Sequence, residues 1–209
     1  MKNDNCKICR RQGLKLFLKG EKCFSLKCPV IKRSYPPGKK GKRRHSQLSE
    51  FGKELREKQK LKNWYNLGER QFGNYVKEIL RRRSRVGDAA VSLIQTLETR
   101  LDNVIFRLGF ASSHAQARQF VSHGHFTVNS RSVNTPSYHL KKGDKVSLRQ
   151  SSRKKKIFEN LPQLLKKNKT PAWLKLDIEK LEGEIAGPPT LEEAAPIAEV
   201  SSIFEYYSR

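Results

Sequence analysis

Beyond Cys28 the sequence holds no cysteine, and nowhere in its 209 residues is there an apolar run approaching the roughly 18 that a membrane-spanning helix needs. No charged head leads into an apolar stretch of signal-peptide type. A membrane span and a secreted, disulfide-stapled scaffold are therefore set aside. A removable leader also fits poorly, because residues of metal-ligand type begin at Cys6. Acids are scarce as well: 20 Asp and Glu stand against 44 Lys and Arg, a formal net charge of +24. That much like charge repels itself in a compact chain, so the implied partner is a polyanion that neutralises it. The length suits one ordinary domain or two small ones, with a core that needs no disulfides.

The charge is uneven. Residues 1–85 carry 26 cations and 7 acids, residues 86–170 carry 15 and 5, and residues 171–209 carry 3 and 8. The first two thirds face the anion, and the acidic end has another task. A single run such as Arg153 to Lys156 reads equally well as a solvated linker.

All four cysteines, Cys6, Cys9, Cys23 and Cys28, fall in a C-x2-C-x13-C-x4-C pattern. Two close pairs across a loop resemble a tetrahedral zinc site, whose thiolates sit about 2.3 Å from the metal. Lys7, Arg10, Arg11, Lys22 and Lys27 flank them and favour the thiolate form. The plainer alternatives are two disulfides or four free thiols; disulfides suit a basic, intracellular chain badly, and an iron-sulfur cluster would use the same four ligands. Four thiolates fill the coordination shell, so a structural role is expected.

Tyr35-Pro36-Pro37-Gly38 then sets an extended turn before a basic loop with Lys39, Lys40, Lys42, Arg43 and Arg44, which reads as a phosphate contact. Ser49 is placed to cap a helix carrying Phe51, Leu55 and Leu61. Residues 66–80 place Phe72, Tyr75, Val76, Ile79 and Leu80 at helical spacing, with Arg81, Arg82, Arg83 and Arg85 at the end. Residues 88–108 give the strongest periodicity and predict one helix stopped by Gly109. Ser113 and Gln116 read as a capping box for a short helix ended by Gly124. Phe126 and Val128 alternate as a strand, Asn129-Ser130 turns the chain, and residues 145–148 form another strand. After residue 150 the pattern is less regular: Trp173 reads as a packing anchor, and Ile203 to Tyr207 as a tail that packs back.

Two helices leaning on a small sheet would gather Arg107, Arg118, Gln119, His123, His125, Lys141 and Lys142 into a groove for a nucleic-acid backbone. Structured RNA suits a rigid surface of this kind better than duplex DNA, since RNA recognition falls on backbone, 2′-hydroxyls and unpaired bases. His123 and His125, beside Gly124, also have the plainer reading of local hydrogen bonding.

These residues resemble a known family. The cysteine pattern, Tyr35-Pro36-Pro37-Gly38, Arg56-Glu57-Lys58-Gln59-Lys60, Glu69-Arg70-Gln71-Phe72, Arg100-Leu101-Asp102-Asn103 and Arg107-Leu108-Gly109-Phe110 carry the resemblance. Gln116-Ala117-Arg118-Gln119, His123-Gly124-His125, Pro136-Ser137-Tyr138, Pro171-Ala172-Trp173-Leu174 and Tyr207-Ser208-Arg209 continue it. The chain is similar throughout to the bacterial-type fourth protein of the small ribosomal subunit. The resemblance implies a primary binder of 16S-type ribosomal RNA that nucleates the subunit body. It also implies contact with the neighbouring fifth protein, a part in translational accuracy, a place beside the mRNA entry path, and a cytoplasmic or organellar ribosome. Two departures stand out: Asn129-Ser130 replaces the usual Asn-Gly, and Gly73 stands where a basic residue is common.

Two rivals are weighed. RNA-modifying enzymes such as pseudouridine synthases carry the same small module, but this chain has no P-loop, dinucleotide fingerprint or H-E-x-x-H motif, and little length for a catalytic domain. Asp102 reads as orienting a basic neighbour. A zinc-finger DNA regulator would have tandem fingers or dimerisation heptads.

The expectation is a non-enzymatic, mainly helical α+β protein in four parts. These are a four-cysteine knuckle and basic loop (1–45), a helical body (46–96), a two-helix plus sheet RNA-binding module (97–152) and a C-terminal segment packed on the body (153–209). Zn2+ is the expected cofactor. The expected RNA contacts are the basic loop, Arg56, Lys58, Lys60, Lys62, Arg70, Arg81, Arg82, Arg83, Arg131 and the groove residues.

Overall fold

The computed structural model describes residues 5–38, 47–82 and 86–209. Lys39, Lys40, Lys42, Arg43, Arg44 and Arg83 lie outside the described residues. The fold is of the mixed class expected, about half helical with an antiparallel sheet. The chain divides into two compact units, residues 1–90 with 196–209, and residues 91–195.

In the first unit, α1 (Asn5–Gln12) and the single turns α2 (Glu21–Phe24) and α3 (Pro29–Lys32) surround the cysteines. Helix α4 (Glu50–Trp64) begins where Ser49 accepts a hydrogen bond from the Gly52 amide at 3.2 Å, the cap its sequence predicts. Helix α5 (Glu69–Arg81) starts three residues later than its periodicity suggests. Asn66, at φ +53, turns the chain between α4 and α5 instead. Leu61, Trp64, Phe72, Val76 and Ile79 build the core of this unit. The boundary between the units falls within α6 (Val86–Glu98).

The apolar stripe over residues 88–108, expected as one helix, is two: α6 and α7 (Leu101–Arg107). Between them Arg100 takes an extended conformation, φ −66° and ψ 139°, and forms a β-bridge with His139. The Leu101 amide donates to Tyr138 O at 2.8 Å, and the Leu140 amide to Thr99 O at 2.9 Å. Tertiary hydrogen bonds thus replace the intrahelical ones, while Leu97 and Leu101 stay buried on either side of the break. Helix α7 ends at Gly109, φ +87, in a Schellman arrangement with the Phe110 amide bonded to Ile105 O at 3.1 Å.

Helix α8 (His114–Ser122) is capped by Ser113 and closed the same way by Gly124. Only half of the expected capping box forms. Gln116 Oε1 accepts from the Ser112 amide at 2.8 Å rather than from the Ser113 amide. Strands β1 (Phe126–Val128), β2 (Arg131–Ser132) and β3 (Lys145–Leu148) follow, then the turns α9 (Gln150–Arg153) and Lys156–Phe158, and α10 (Leu161–Lys167).

The stretch past residue 170 holds a hairpin that its sequence does not announce, β4 (Leu174–Asp177) and β5 (Glu182–Ile185). Acidic residues and Gly183 hide the alternation. The hairpin completes an antiparallel sheet of order β2-β1-β3-β5-β4. In the same unit, Leu101, Ile105, Leu108, Phe120, Phe126, Val146, Trp173 and Ile185 share one core. The turn α11 (Leu191–Ala194) precedes α12 (Val200–Ser208), which returns to the first unit and packs on α4 and α5. Ile203 and Phe204 are buried, and Arg209 Nη2 donates to Glu54 Oε1 at 2.6 Å.

Candidate nucleic-acid interface

Cys6 and Cys9 lie on α1, Cys23 in α2, and Cys28 immediately before α3. Cys6, Cys9, Cys23 and Cys28 are free of disulfides and line one small cavity with Leu18, Pro29 and Val30. The Lys19 amide donates to Cys23 Sγ at 3.4 Å. Burial pushes the Cys9 thiol up, and the charges of Cys23, Cys6 and Cys28 push the same way. The donor chemistry suits a soft divalent ion. The geometry is looser, since no group of three or more His, Cys, Asp or Glu side chains among the described residues stands at metal-holding spacing.

Cations singled out in the helical body divide by what they touch. Lys58 is 3% exposed; its Nζ donates to Glu69 Oε1 at 2.6 Å and lies 4.4 Å from the centroid of the Tyr206 ring. Lys62 reaches Glu69 Oε2 at 2.8 Å, and Lys60 pairs with Glu57. Burial works to raise the Glu69 pKa, but hydrogen bonds from Lys58 and Lys62 outweigh it and hold the carboxyl down at about 2. Tyr207 donates to the same carboxylate at 3.2 Å, and its phenol is pushed up by burial first and by the Glu69 charge second. Lys58 and Lys62 therefore fasten α4 to α5, and Lys58 also meets α12. Arg56 donates to Gln12 O at 2.8 Å, and Arg82 pairs with Glu78 on the surface. Arg70 and Arg81 are exposed.

Gly73, where a basic residue is common, packs against the C-terminal helix. It is buried in α5, and a Cβ there would meet the Tyr207 hydroxyl at 3.5 Å. A long basic side chain would displace that ring.

In the second unit the expected groove is split. Arg118 of α8 is half-buried, Gln119 and His123 near it are exposed, and Arg131, Lys141 and Lys142 are exposed on the sheet and its loops. Arg107 points elsewhere, donating to Glu98 Oε2 at 3.0 Å, Glu98 Oε1 at 2.7 Å and Ala194 O at 2.9 Å. Glu98 is itself fully buried and accepts from Asn103 Nδ2 at 2.6 Å. His125 is buried too, with Nδ1 and Ser152 Oγ 2.9 Å apart and its ring at the edges of Phe120 and Phe158. Desolvation, then the charges of Lys155 and His123, lower its pKa, so it serves as a neutral packing group. His114, fully buried, is pushed down to about 3 by desolvation and by Arg107 and Arg100.

Three participants escaped sequence reasoning. Glu98 and Ala194, which hold Arg107, lie nine and 87 residues from it, and Asn168 Nδ2 donates to Arg107 O at 2.9 Å from 61 residues away. No local pattern announces such pairs. Lys155, whose charge reaches His125, belongs to the run Arg153 to Lys156 that reads equally well as a linker.

Asp102 accepts from Arg100 Nε at 3.0 Å and Nη2 at 2.6 Å, which confirms that it orients a basic neighbour. It does so from the first turn of α7 rather than from mid-helix. Neither side chain is exposed by more than 7%.

Residues 1–98 match the family described as "Ribosomal protein S4/S9 N-terminal domain", and residues 99–146 match the "S4 domain". The sequence is 46% identical over 204 residues to "Small ribosomal subunit protein uS4A" of Symbiobacterium thermophilum, covering 98% of this chain and 96% of that one. With the same coverage, it is 45% identical to the uS4 protein of Natranaerobius thermophilus and 43% identical to that of Thermus thermophilus.

Proposed function

The chain belongs to the bacterial-type uS4 family of the small ribosomal subunit, and from that premise we propose how its residues serve the particle. It is a structural, non-enzymatic constituent of the subunit that binds ribosomal RNA through its S4 domain and stands among neighbouring ribosomal proteins. In our reading it binds 16S-type RNA early and nucleates the subunit body of a cytoplasmic ribosome. It then touches the fifth protein of the subunit and the mRNA near its entry, and so bears on decoding accuracy.

The RNA contacts proposed in the module are Arg118, Gln119, His123, Arg131, Lys141 and Lys142. The observation that carries this is that Gln119, His123, Arg131, Lys141 and Lys142 are exposed, with Arg118 half-buried beside them, on one small α7-α8-sheet unit in which Arg100 and Arg107 already hold carboxylates. Rigid placement of cations tells an RNA backbone where to lie, and released counterions supply the affinity. The basic loop 39–44, Arg56, Arg70, Arg81 to Arg83 and the outer faces of Lys60 and Lys62 complete the set. Lys58, Arg107 and His125 act from beneath, by holding the elements that carry the others. The four-part division at residues 45, 96 and 152 is kept as a proposed functional map, laid over two compact units in which residues 153–195 go with the module and residues 196–209 with the body.

Cys6, Cys9, Cys23 and Cys28 are proposed to hold one Zn2+ with a structural role; an iron-sulfur cluster would use the same thiolates. What supports this is that all four free thiols line one cavity. With four protein ligands there is no open position for catalysis, and the ion would tie three short helices together. One zinc per purified chain, with exchange protection at residues 5–38 lost on chelation, is the expected result. Stoichiometric iron would replace zinc by the cluster, and unchanged protection after chelation would remove the metal.

The test of the RNA reading is titration of the purified protein against small-subunit ribosomal RNA, duplex DNA and an unrelated folded RNA across a salt series. With about ten phosphate contacts, affinity should fall by about 10³ to 10⁵ between roughly 50 and 200 mM salt, with the ribosomal RNA bound most tightly. Equal binding to all three would reduce the protein to a general polyanion binder. Arg118→Ala should weaken binding while leaving the thermal transition in place.

A further inference from the structure

Within the first unit, Phe24 is 72% exposed, more than a large aromatic normally leaves open in a folded domain. One face of it is already covered: Phe17 lies with its centroid 4.8 Å away and its plane inclined by 29°, a stacked pair. Phe17 achieves this at φ +52, a left-handed conformation that a bulky residue rarely adopts. The Gly20 amide, bonded to Phe17 O at 3.3 Å, closes the turn that keeps it there. The chain therefore accepts backbone strain in order to support a ring that faces solvent, and strain of that kind is commonly kept where a surface is used.

We propose that the outer face of Phe24 is a stacking platform for an unpaired base of the bound ribosomal RNA, with Phe17 as its backing. The proposal rests on the RNA-binding reading above and adds a contact of a different kind to it. Charge selects the occupant. Residues 1–38 hold 10 Lys and Arg against two acids, and Lys22 and Lys27 stand two before and three after Phe24. An apolar protein partner would have to bring compensating acids into this field, whereas a nucleotide brings its own phosphate. A base offers a π-face of any sequence, and an aromatic ring already stacked beneath keeps the platform flat.

The test uses the full-length, metal-replete protein and small-subunit ribosomal RNA. Phe24→Leu keeps an apolar side chain without the π-face, and Phe24→Trp enlarges the platform. Stacking of one base predicts that Phe24→Leu binds about 5- to 100-fold more weakly, with the salt slope unchanged because no phosphate contact is lost. Phe24→Trp should bind within about twofold of the parent, and its added fluorescence should be quenched by RNA. Trp64 and Trp173, both buried, provide a steady background.

Full affinity for Phe24→Leu would overturn the platform, as would an unquenched tryptophan at position 24. Unchanged RNA affinity with poorer incorporation beside neighbouring proteins would assign the ring to a protein contact and also overturn it. The RNA-binding reading would survive these failures, because it falls only if the parent protein itself does not prefer ribosomal RNA.

Discussion

Arg100 and Asp102, two residues apart and both buried, close on each other through paired hydrogen bonds of 3.0 and 2.6 Å at the break between α6 and α7. The Asp102 Oδ1 atom also accepts from the Asn103 amide at 3.0 Å, capping an amide of the first turn of α7. One carboxylate thus fixes both the guanidinium and the new helix axis.

Asp102→Asn should therefore be severely destabilising. Burying the arginine without its carboxylate is expected to cost about 3–5 kcal/mol. Urea unfolding of the variant checks this; a loss below about 1 kcal/mol would mean that the pair adds little to the fold.

Stability should fall with acidity through His114. Its folded pKa of about 3 lies below the ordinary 6.5, so below pH 6.5 the unfolded chain takes up a proton that the folded one refuses. This contribution is complete above pH 6.5 and is lost as pH falls from there toward about 3, at roughly 1.4 kcal/mol per unit at most. Histidine NMR across that range should show His114 remaining neutral at pH 5. A ring that protonates near pH 6.5 in the folded protein would contradict the assignment.

The β1–β2 turn places both central residues at positive φ, Asn129 at +48 and Ser130 at +67. This is the handedness that fits a two-residue hairpin. Asn129 is held there by Asp144 Oδ1 at 2.8 Å and by the Lys145 amide at 3.0 Å, whereas serine has no such advantage at the second position. Ser130→Gly should stabilise the protein by about 0.5–1 kcal/mol, visible as a raised thermal midpoint. Asn129→Ala should lower it.

Gly183 lies in β5 against Leu108 of the α7 C-terminus, and a Cβ built there would run into the Leu108 side chain. Gly183→Ala is expected to cost about 1–3 kcal/mol by overpacking. Gly183→Ala combined with Leu108→Ala should recover part of the clash cost, and a double-mutant cycle in urea measures it. Strictly additive losses would show that the two sites do not press on each other.

Much of this was legible in the sequence because it is local. The Ser49 and Ser113 caps, the glycine stops at 109 and 124, the β1 and β3 alternation and the cysteine spacing each depend on residues within a few positions of one another. The family follows from ordered motifs of that kind. The break at Arg100 was not legible, because the apolar stripe continues across it and the hydrogen bonds that favour it come from residues 136–140. The β4–β5 hairpin was hidden for a related reason: β5 pairs with β3, whose residues lie 35 to 39 positions earlier.

Sequence by itself determined the charge, the class of partner, the family and the positions of the cations, since composition and short-range spacing carry all of these. Only the tertiary structure decided which cations remain for RNA. Lys58 and Arg107 look no different in sequence from Arg131 or Lys142, yet the first two face Glu69 and Glu98 while the other two face water. A charge buried beside a carboxylate is held by strong, poorly screened attraction, and one at the surface is left to the solvent and the phosphates. That division depends on distances between residues far apart in the chain, which only folding sets.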